Sequence, residues 1–251
     1  MKNNHKHNII ILHGWGLSGN KYKDLKSILE FQGYKVFIPD FPGFGIEPLK
    51  EDGYHLIDYA KFLDEYIKNN KLNDIVLIGH SFGGRVIVKY MGEVKDKKIE
   101  IKAIIISGSP LIRQKISSRK KIIIGLLKPL KIIYSIFPEK IYKNRISYYI
   151  RKLIYRAIGE MDYYKASKNN MKKTFINIIN EDQEKNLKKI NTPTLLLWGK
   201  EDRITPLSIG VNIHKKIAKS RLSIIKNETH KFPYDNPEKF AKETLAFMSL
   251  L

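Results

Sequence analysis

Hydrophobic and polar positions along this 251-residue chain follow two alternating spacings. Six stretches are short and almost wholly apolar: Asn8 to Leu12, Tyr34 to Ile38, Asp74 to Gly79, Ile101 to Ser107, Thr194 to Gly199 and Leu222 to Ile225. Runs of this length, rich in β-branched residues, predict strands buried on both faces. Between them apolar residues recur at helical spacing. Leu25, Ile28 and Leu29 share one face of a helix that Gly33 ends, and Leu56, Ala60, Leu63 and Ile67 share one face of a helix from about His55 to Asn70. A helix after Gly83 begins with Arg85 to Tyr90, another runs from Pro206 to about Ile217, and a last one is capped by Asn236, Pro237 and Glu238. Strand and helix in alternation predict an α/β domain: a mostly parallel, twisted sheet with helices on both faces. Ligands of such sheets bind beyond the carboxyl ends of the strands, where Trp15, Ser81 and Ser109 fall.

The alternation stops from Leu111 to Lys185. Apolar blocks such as Ile122 to Leu127, broken at Pro129 and Pro138, predict a helical cap inserted over the mouth of a core formed by residues 1–110 and 186–251. The run Ile122 to Phe137, framed by Arg119, Lys120, Lys121 and Lys128, admits two readings. It resembles a helix lying in a membrane interface, and it equally suits a cap helix packed inward to line an acyl pocket.

Charge changes this picture only in part. The net charge is +21, but 38 of the 46 basic residues are lysine and 8 are arginine. Such a lysine excess suits a solvated surface, and no nucleic-acid motif accompanies it, so specific nucleic-acid binding is not expected. The stretch 111–185 alone has 18 Lys/Arg against 6 Asp/Glu, a net of +12, which would suit an anionic membrane surface or an acidic partner. Cysteine is absent, which removes disulfides and thiolate metal sites and fits a reducing, cytoplasmic location. The N-terminal residues are polar, and no apolar run has the length of a membrane span.

The candidate chemistry sits where apolar runs end. Ile75 to Ile78 lead into Gly79-His80-Ser81-Phe82-Gly83, a Gly-x-Ser-x-Gly passing at once from strand to helix. So sharp a reversal strains the serine backbone and lifts its oxygen clear of the sheet, with Gly79 and Gly83 leaving room. The amide of Phe82 then points at whatever Ser81 attacks. His13-Gly14-Trp15-Gly16 closes the first strand, and the amide of Trp15 is the expected second oxyanion donor. Serine needs a base, and the base needs a carboxylate to hold its tautomer. Asp202 follows the fifth strand in Gly199-Lys200-Glu201-Asp202, and His230 is the one histidine in the loop after the last strand. The order Ser81, Asp202, His230 is that of a strand-ended triad, with Glu201 the fallback carboxylate. No cluster has metal-ligand spacing, and there is no phosphate loop or dinucleotide fingerprint, so neither a metal nor a cofactor is expected.

His13-Gly14-Trp15-Gly16, Asp40-Phe41-Pro42-Gly43-Phe44-Gly45, Gly79-His80-Ser81-Phe82-Gly83-Gly84, Gly199 to Asp202 and His230 together resemble the α/β-hydrolase superfamily. The resemblance covers Asn8 to Pro110 and Thr192 to Leu251, and it implies a sheet beginning at the third strand of the usual eight. Within the superfamily, His-Gly-Trp-Gly-Leu and the Pro-Gly-Phe-Gly turn resemble the esterases that cleave pimeloyl carrier-protein methyl ester. They imply a serine carboxylesterase acting on a small ester through an acyl-enzyme, and with that resemblance a basic cap would suit an acidic carrier protein. Serine at position 81 differs from the aspartate of dehalogenases and epoxide hydrolases. Hydrolases of carbon–carbon bonds share the triad, and a basic binding protein on the same scaffold is a further alternative.

Overall fold

A computed structural model describes residues 6–44, 51–96, 98–112 and 171–251. The run Ile122–Phe137, Gly45 of the Asp40-to-Gly45 motif and most of the expected cap lie outside the described residues. Six strands form one parallel sheet: β1 (Asn8–Leu12), β2 (Lys35–Phe37), β3 (Ile75–His80), β4 (Ile101–Ser107), β5 (Thr194–Gly199) and β6 (Ser220–Ile225), in the order β2-β1-β3-β4-β5-β6. The apolar runs end in register. Leu12 lies opposite Gly79, His80 opposite Ser107, and Ser107 opposite Leu197, so the residues that follow them share one edge of the sheet.

Successive side chains on a strand point to opposite faces, and here both faces are covered. Ile10, Leu12, Leu77, Ile104, Ile106 and Leu196 pack against α2 (Leu56–Asn69), α3 (Phe82–Lys89) and α6 (Leu207–His214). Ile9, Ile11, Val76, Ile78, Ile105 and Leu197 pack against α1 (Lys23–Phe31), the short α7 (Phe232–Asp235) and α8 (Pro237–Met248). Side chains buried to this degree contribute about 1.5–3 kcal/mol each. That double burial is why the strands read as continuous apolar runs rather than alternating ones.

Boundaries depart from the sequence reading by a residue or two. β6 begins at Ser220 rather than Leu222, because its outer residues sit on an edge strand and are polar or half-exposed. Pro206 keeps an extended backbone (ψ 147°) and precedes α6 instead of lying in its first turn. The helix α1 ends as expected, with Gly33 at φ +86° just beyond it. Asn236 caps α8 by accepting from the Lys239 amide.

The described end of the 111–185 stretch is helical, with α4 at Lys172–Asn180 and α5 at Glu184–Leu187. Arg85, on α3, ties this end to the core. Its buried guanidinium donates to the carbonyls of Pro110 and Glu181 and, at 2.6 Å, to that of Ile178. A cation placed on the carbonyls at a helix C-terminus also meets the favourable end of the helix dipole. Burial pulls the Arg85 guanidinium down to about 10, which leaves it charged at neutral pH. Lys89, one turn further along, pairs with Glu181 at 2.6 Å and Glu93 at 2.7 Å.

Candidate active site

At the end of β3 the chain turns with Ser81 at φ 51°, ψ −109°, a conformation that side chains rarely adopt and that costs of order 1–3 kcal/mol. Crowding fixes it there. A Cβ on Gly79 would lie 2.6 Å from the Gly84 amide nitrogen, and one on Gly83 would lie 2.1 Å from the Leu12 carbonyl oxygen. The Ser81 amide donates to the Ser107 carbonyl at 2.8 Å, which anchors the turn to β4. Phe82 is the first residue of α3, so its amide is among the helix N-terminal donors that have no intrahelical acceptor.

On the neighbouring strand edge, His13 is fully buried and its tautomer is fixed by its partners. The Phe41 amide donates to Nε2 at 3.0 Å, so Nδ1 carries the hydrogen and donates to the Gly14 carbonyl at 2.9 Å. Burial pushes the His13 imidazolium down, so the ring is neutral. It thereby locks the Gly14–Trp15 turn to the loop after β2, where Asp40 accepts from the Gly19 amide at 2.6 Å. Trp15 stands beside the elbow, with its ring 5.5 Å from Phe82, 4.8 Å from Phe44 and 5.1 Å from Phe175 of α4.

Asp202 and His230 come together from the loops after β5 and β6. His230 Nδ1 donates to Asp202 Oδ2 at 2.8 Å. The other carboxylate oxygen accepts from the amides of Ile204 (2.9 Å) and Thr205 (2.7 Å). Trp198 holds that turn from below, its indole N–H donating to the Thr205 carbonyl at 2.8 Å. The Asp202 side chain is 1% exposed. Glu201, the fallback carboxylate, is exposed, and Asp202 is the one that engages the histidine.

His80, the residue before Ser81, reaches the same loop: its ring is 4.8 Å from that of His230, and its Nε2 lies 2.9 Å from the His230 carbonyl oxygen. The structure therefore gathers His13, Gly14, Trp15, Gly79, His80, Ser81, Phe82, Gly83, Asp202 and His230 at the carboxyl edge of the sheet. Ser109 follows the carboxyl end of β4 as expected but is fully buried. Its hydroxyl turns inward to the Ser107 carbonyl at 3.3 Å, in the space that a Gly84 side chain would need.

Three residues of this region escape the sequence reading. Gly108, at φ +56°, would place a Cβ 2.9 Å from His230 Nδ1 and 3.2 Å from Asp202 Oδ2, so the pair is packed against a bare backbone. Tyr22 is fully buried beneath the Gly14 turn, with its hydroxyl on His80. Arg85 had one available signal: it is one of 8 arginines among 46 basic residues, at a place where a planar group with several donors is required. No group of acidic, histidine or cysteine side chains among the described residues could hold a metal ion.

A strained serine at a strand-to-helix elbow, on a doubly covered parallel sheet, with an Asp–His pair on the later strands, defines a member of the α/β-hydrolase superfamily. A model of the family described as serine aminopeptidase, S33, matches residues 3–237, and the chain belongs to that family. It is a hydrolase by class. It is 27% identical over 251 residues to putative esterase/lipase 2 of Mycoplasma genitalium, covering 98% of this chain and 90% of that protein. It is 24% identical over 243 residues to the AB hydrolase superfamily protein YisY of Bacillus subtilis, covering 94% and 89%. Among solved structures it resembles an esterase from Exiguobacterium antarcticum, with a TM-score of 0.73 and 22% identity over 97% of this chain and 92% of that one. No helix among the described residues is long and apolar enough to cross a membrane.

Proposed function

We propose that the protein is a serine carboxylesterase. The observation that carries this reading is the Asp202–His230 bond, laid against the residue that precedes a strained Ser81. With Nδ1 bonded to Asp202, the base is His230 Nε2. It takes the Ser81 hydroxyl proton as Oγ adds to the ester carbonyl carbon, and the amides of Trp15 and Phe82 receive the negative charge that develops on the carbonyl oxygen. Collapse of the tetrahedral species breaks the bond to the alcohol oxygen, which leaves with the proton from His230. Water, deprotonated by the same nitrogen, then releases the acid and restores Ser81.

Residues 111–185 act as a helical cap that selects the acyl group, a reading supported by Phe175 of α4 lying against Trp15. The basic excess of that stretch supports an acidic carrier protein or an anionic membrane surface as the source of substrate, in a reducing cytoplasmic setting.

Hydrolysis of p-nitrophenyl esters from acetyl to long acyl chains tests the reading. The intact protein should show a preferred chain length, and Ser81→Ala should lose about 10⁴-fold or more in turnover. A folded protein inactive on the whole series would instead favour cleavage of carbon–carbon bonds or a binding role.

A further inference from the structure

One chain of hydrogen bonds, buried from Gly14 to His80, touches all three parts of this site. Its directions follow from what each group can do. The Gly14 amide can only donate, and it gives its hydrogen to the Tyr22 hydroxyl oxygen at 3.1 Å. The His230 carbonyl can only accept, so the His80 nitrogen 2.9 Å away, Nε2, carries a hydrogen. The Tyr22 hydroxyl then has one hydrogen left to give, and His80 Nδ1 accepts it at 2.7 Å. The order is Gly14 N–H to Tyr22, Tyr22 O–H to His80, His80 N–H to His230.

Only a neutral His80 fits, because a second ring hydrogen would leave the Tyr22 hydroxyl without its acceptor. Burial first, and then the nearby His230 ring, push the His80 imidazolium down to about 3. The titratable groups around it are Tyr22, Tyr234, His230 and His13. Burial pushes the Tyr22 phenol up, so it keeps its hydrogen throughout the working range.

Each end of the chain is one step from the chemistry. Gly14 precedes Trp15, the oxyanion amide; His80 precedes Ser81; and the carbonyl bonded by His80 belongs to the base itself. We propose that Tyr22 and His80 are positioning residues, through which one hydrogen-bonded chain sets the oxyanion turn and the base loop in register with the nucleophile elbow. The proposal rests on the serine-esterase reading of the site. Small errors of placement in such a site are expensive: a displacement of about 1 Å typically costs about 100-fold in rate.

The test uses the full chain, with active sites counted by phosphonate titration and thermal midpoints measured alongside. Tyr22→Phe should lower kcat about 10-fold with KM within about twofold, because the misplacement affects the transition state more than substrate binding. Two replacements divide the role of His80. Glutamine puts an amide N–H near the Nε2 position and keeps the bond to the His230 carbonyl; asparagine puts an oxygen near Nδ1 and keeps only the bond from Tyr22. His80→Gln should therefore retain more turnover than His80→Asn, and the losses in a double variant with Tyr22→Phe should not add, since residues in one network couple.

A readout independent of activity is the proton that His230 shares with Asp202, observed in nitrogen-15 histidine spectra. It should shift in Tyr22→Phe, although that substitution touches neither residue. Variants that lose only thermal stability, with kcat per site and the His230 proton unchanged, would overturn the proposal. A parent protein without Ser81-dependent turnover would end the esterase reading instead, and the His230 proton would still decide whether the chain couples the two loops.

Discussion

The two halves of the proposed site, nucleophile and acid–base, are held by different means. The nucleophile half, β3 into α3, is held by steric closeness. Glycines let Leu12, Gly84 and the elbow pack at distances no side chain would allow, and Ser81 is strained as a result. The acid–base half, in the loops after β5 and β6, is also packed closely at Gly108, but its two side chains are oriented by hydrogen bonds: two amides on Asp202, Asp202 on His230, and His80 on the His230 carbonyl. Steric closeness is all or nothing, since a methyl group either fits or displaces the backbone. Hydrogen bonds can be altered one at a time while the fold stands. The nucleophile half should therefore fail through stability and the acid–base half through rate.

The sharpest break of that comparison is Asp202→Asn. The amide keeps the shape but favours the wrong tautomer of His230, so turnover should fall about 10⁴-fold, with a thermal midpoint close to that of the parent. A large loss of stability in this variant would erase the distinction between the halves. The converse is Gly83→Ala, whose methyl carbon meets the Leu12 carbonyl at 2.1 Å. Denaturant unfolding should show a loss of about 3 kcal/mol or more, by forced displacement of backbone. If stability were unchanged, the elbow would not be sterically set.

The smallest effect is on acid stability. His80 is held neutral, with its folded pKa pushed down to about 3 from 6.5, so the unfolded chain binds more protons between those values. Its contribution to stability is complete above pH 6.5 and falls as pH drops towards 3. At pH 5 the loss is about 2 kcal/mol, and His13, also shifted down by burial, adds in the same direction. Unfolding free energies measured from pH 7 to pH 4 should fall less steeply in His80→Gln than in the parent; equal slopes would show that His80 is not held neutral.

These contrasts also explain what could be read from the sequence. The strands were legible because residues such as Ile9 to Leu12 are buried on both faces, which leaves an unbroken apolar run. The candidate residues Ser81, Asp202 and His230 were legible because each lies in a turn just beyond the end of a strand, and the glycines beside Ser81 leave a local pattern. Tyr22 and Gly108 left none. The bond from Tyr22 to His80 spans 58 positions, and that from His80 to His230 spans 150, so their roles arise only when separate strands align. Gly108 simply follows the apolar run of β4, and what forbids a side chain there is the Asp202–His230 pair, which arrives from two later loops. The stretch 111–185 carries no motif, and its composition speaks only to its surface.

The most direct test of the account is intact-protein mass spectrometry after treatment with a fluorophosphonate, which phosphonylates an activated serine with loss of fluoride. The account predicts one adduct per chain, mapped to the peptide bearing Ser81, formed far more slowly in His230→Ala and absent in Ser81→Ala. Labelling that persists in Ser81→Ala, or that proceeds at the parent rate without His230, would contradict it.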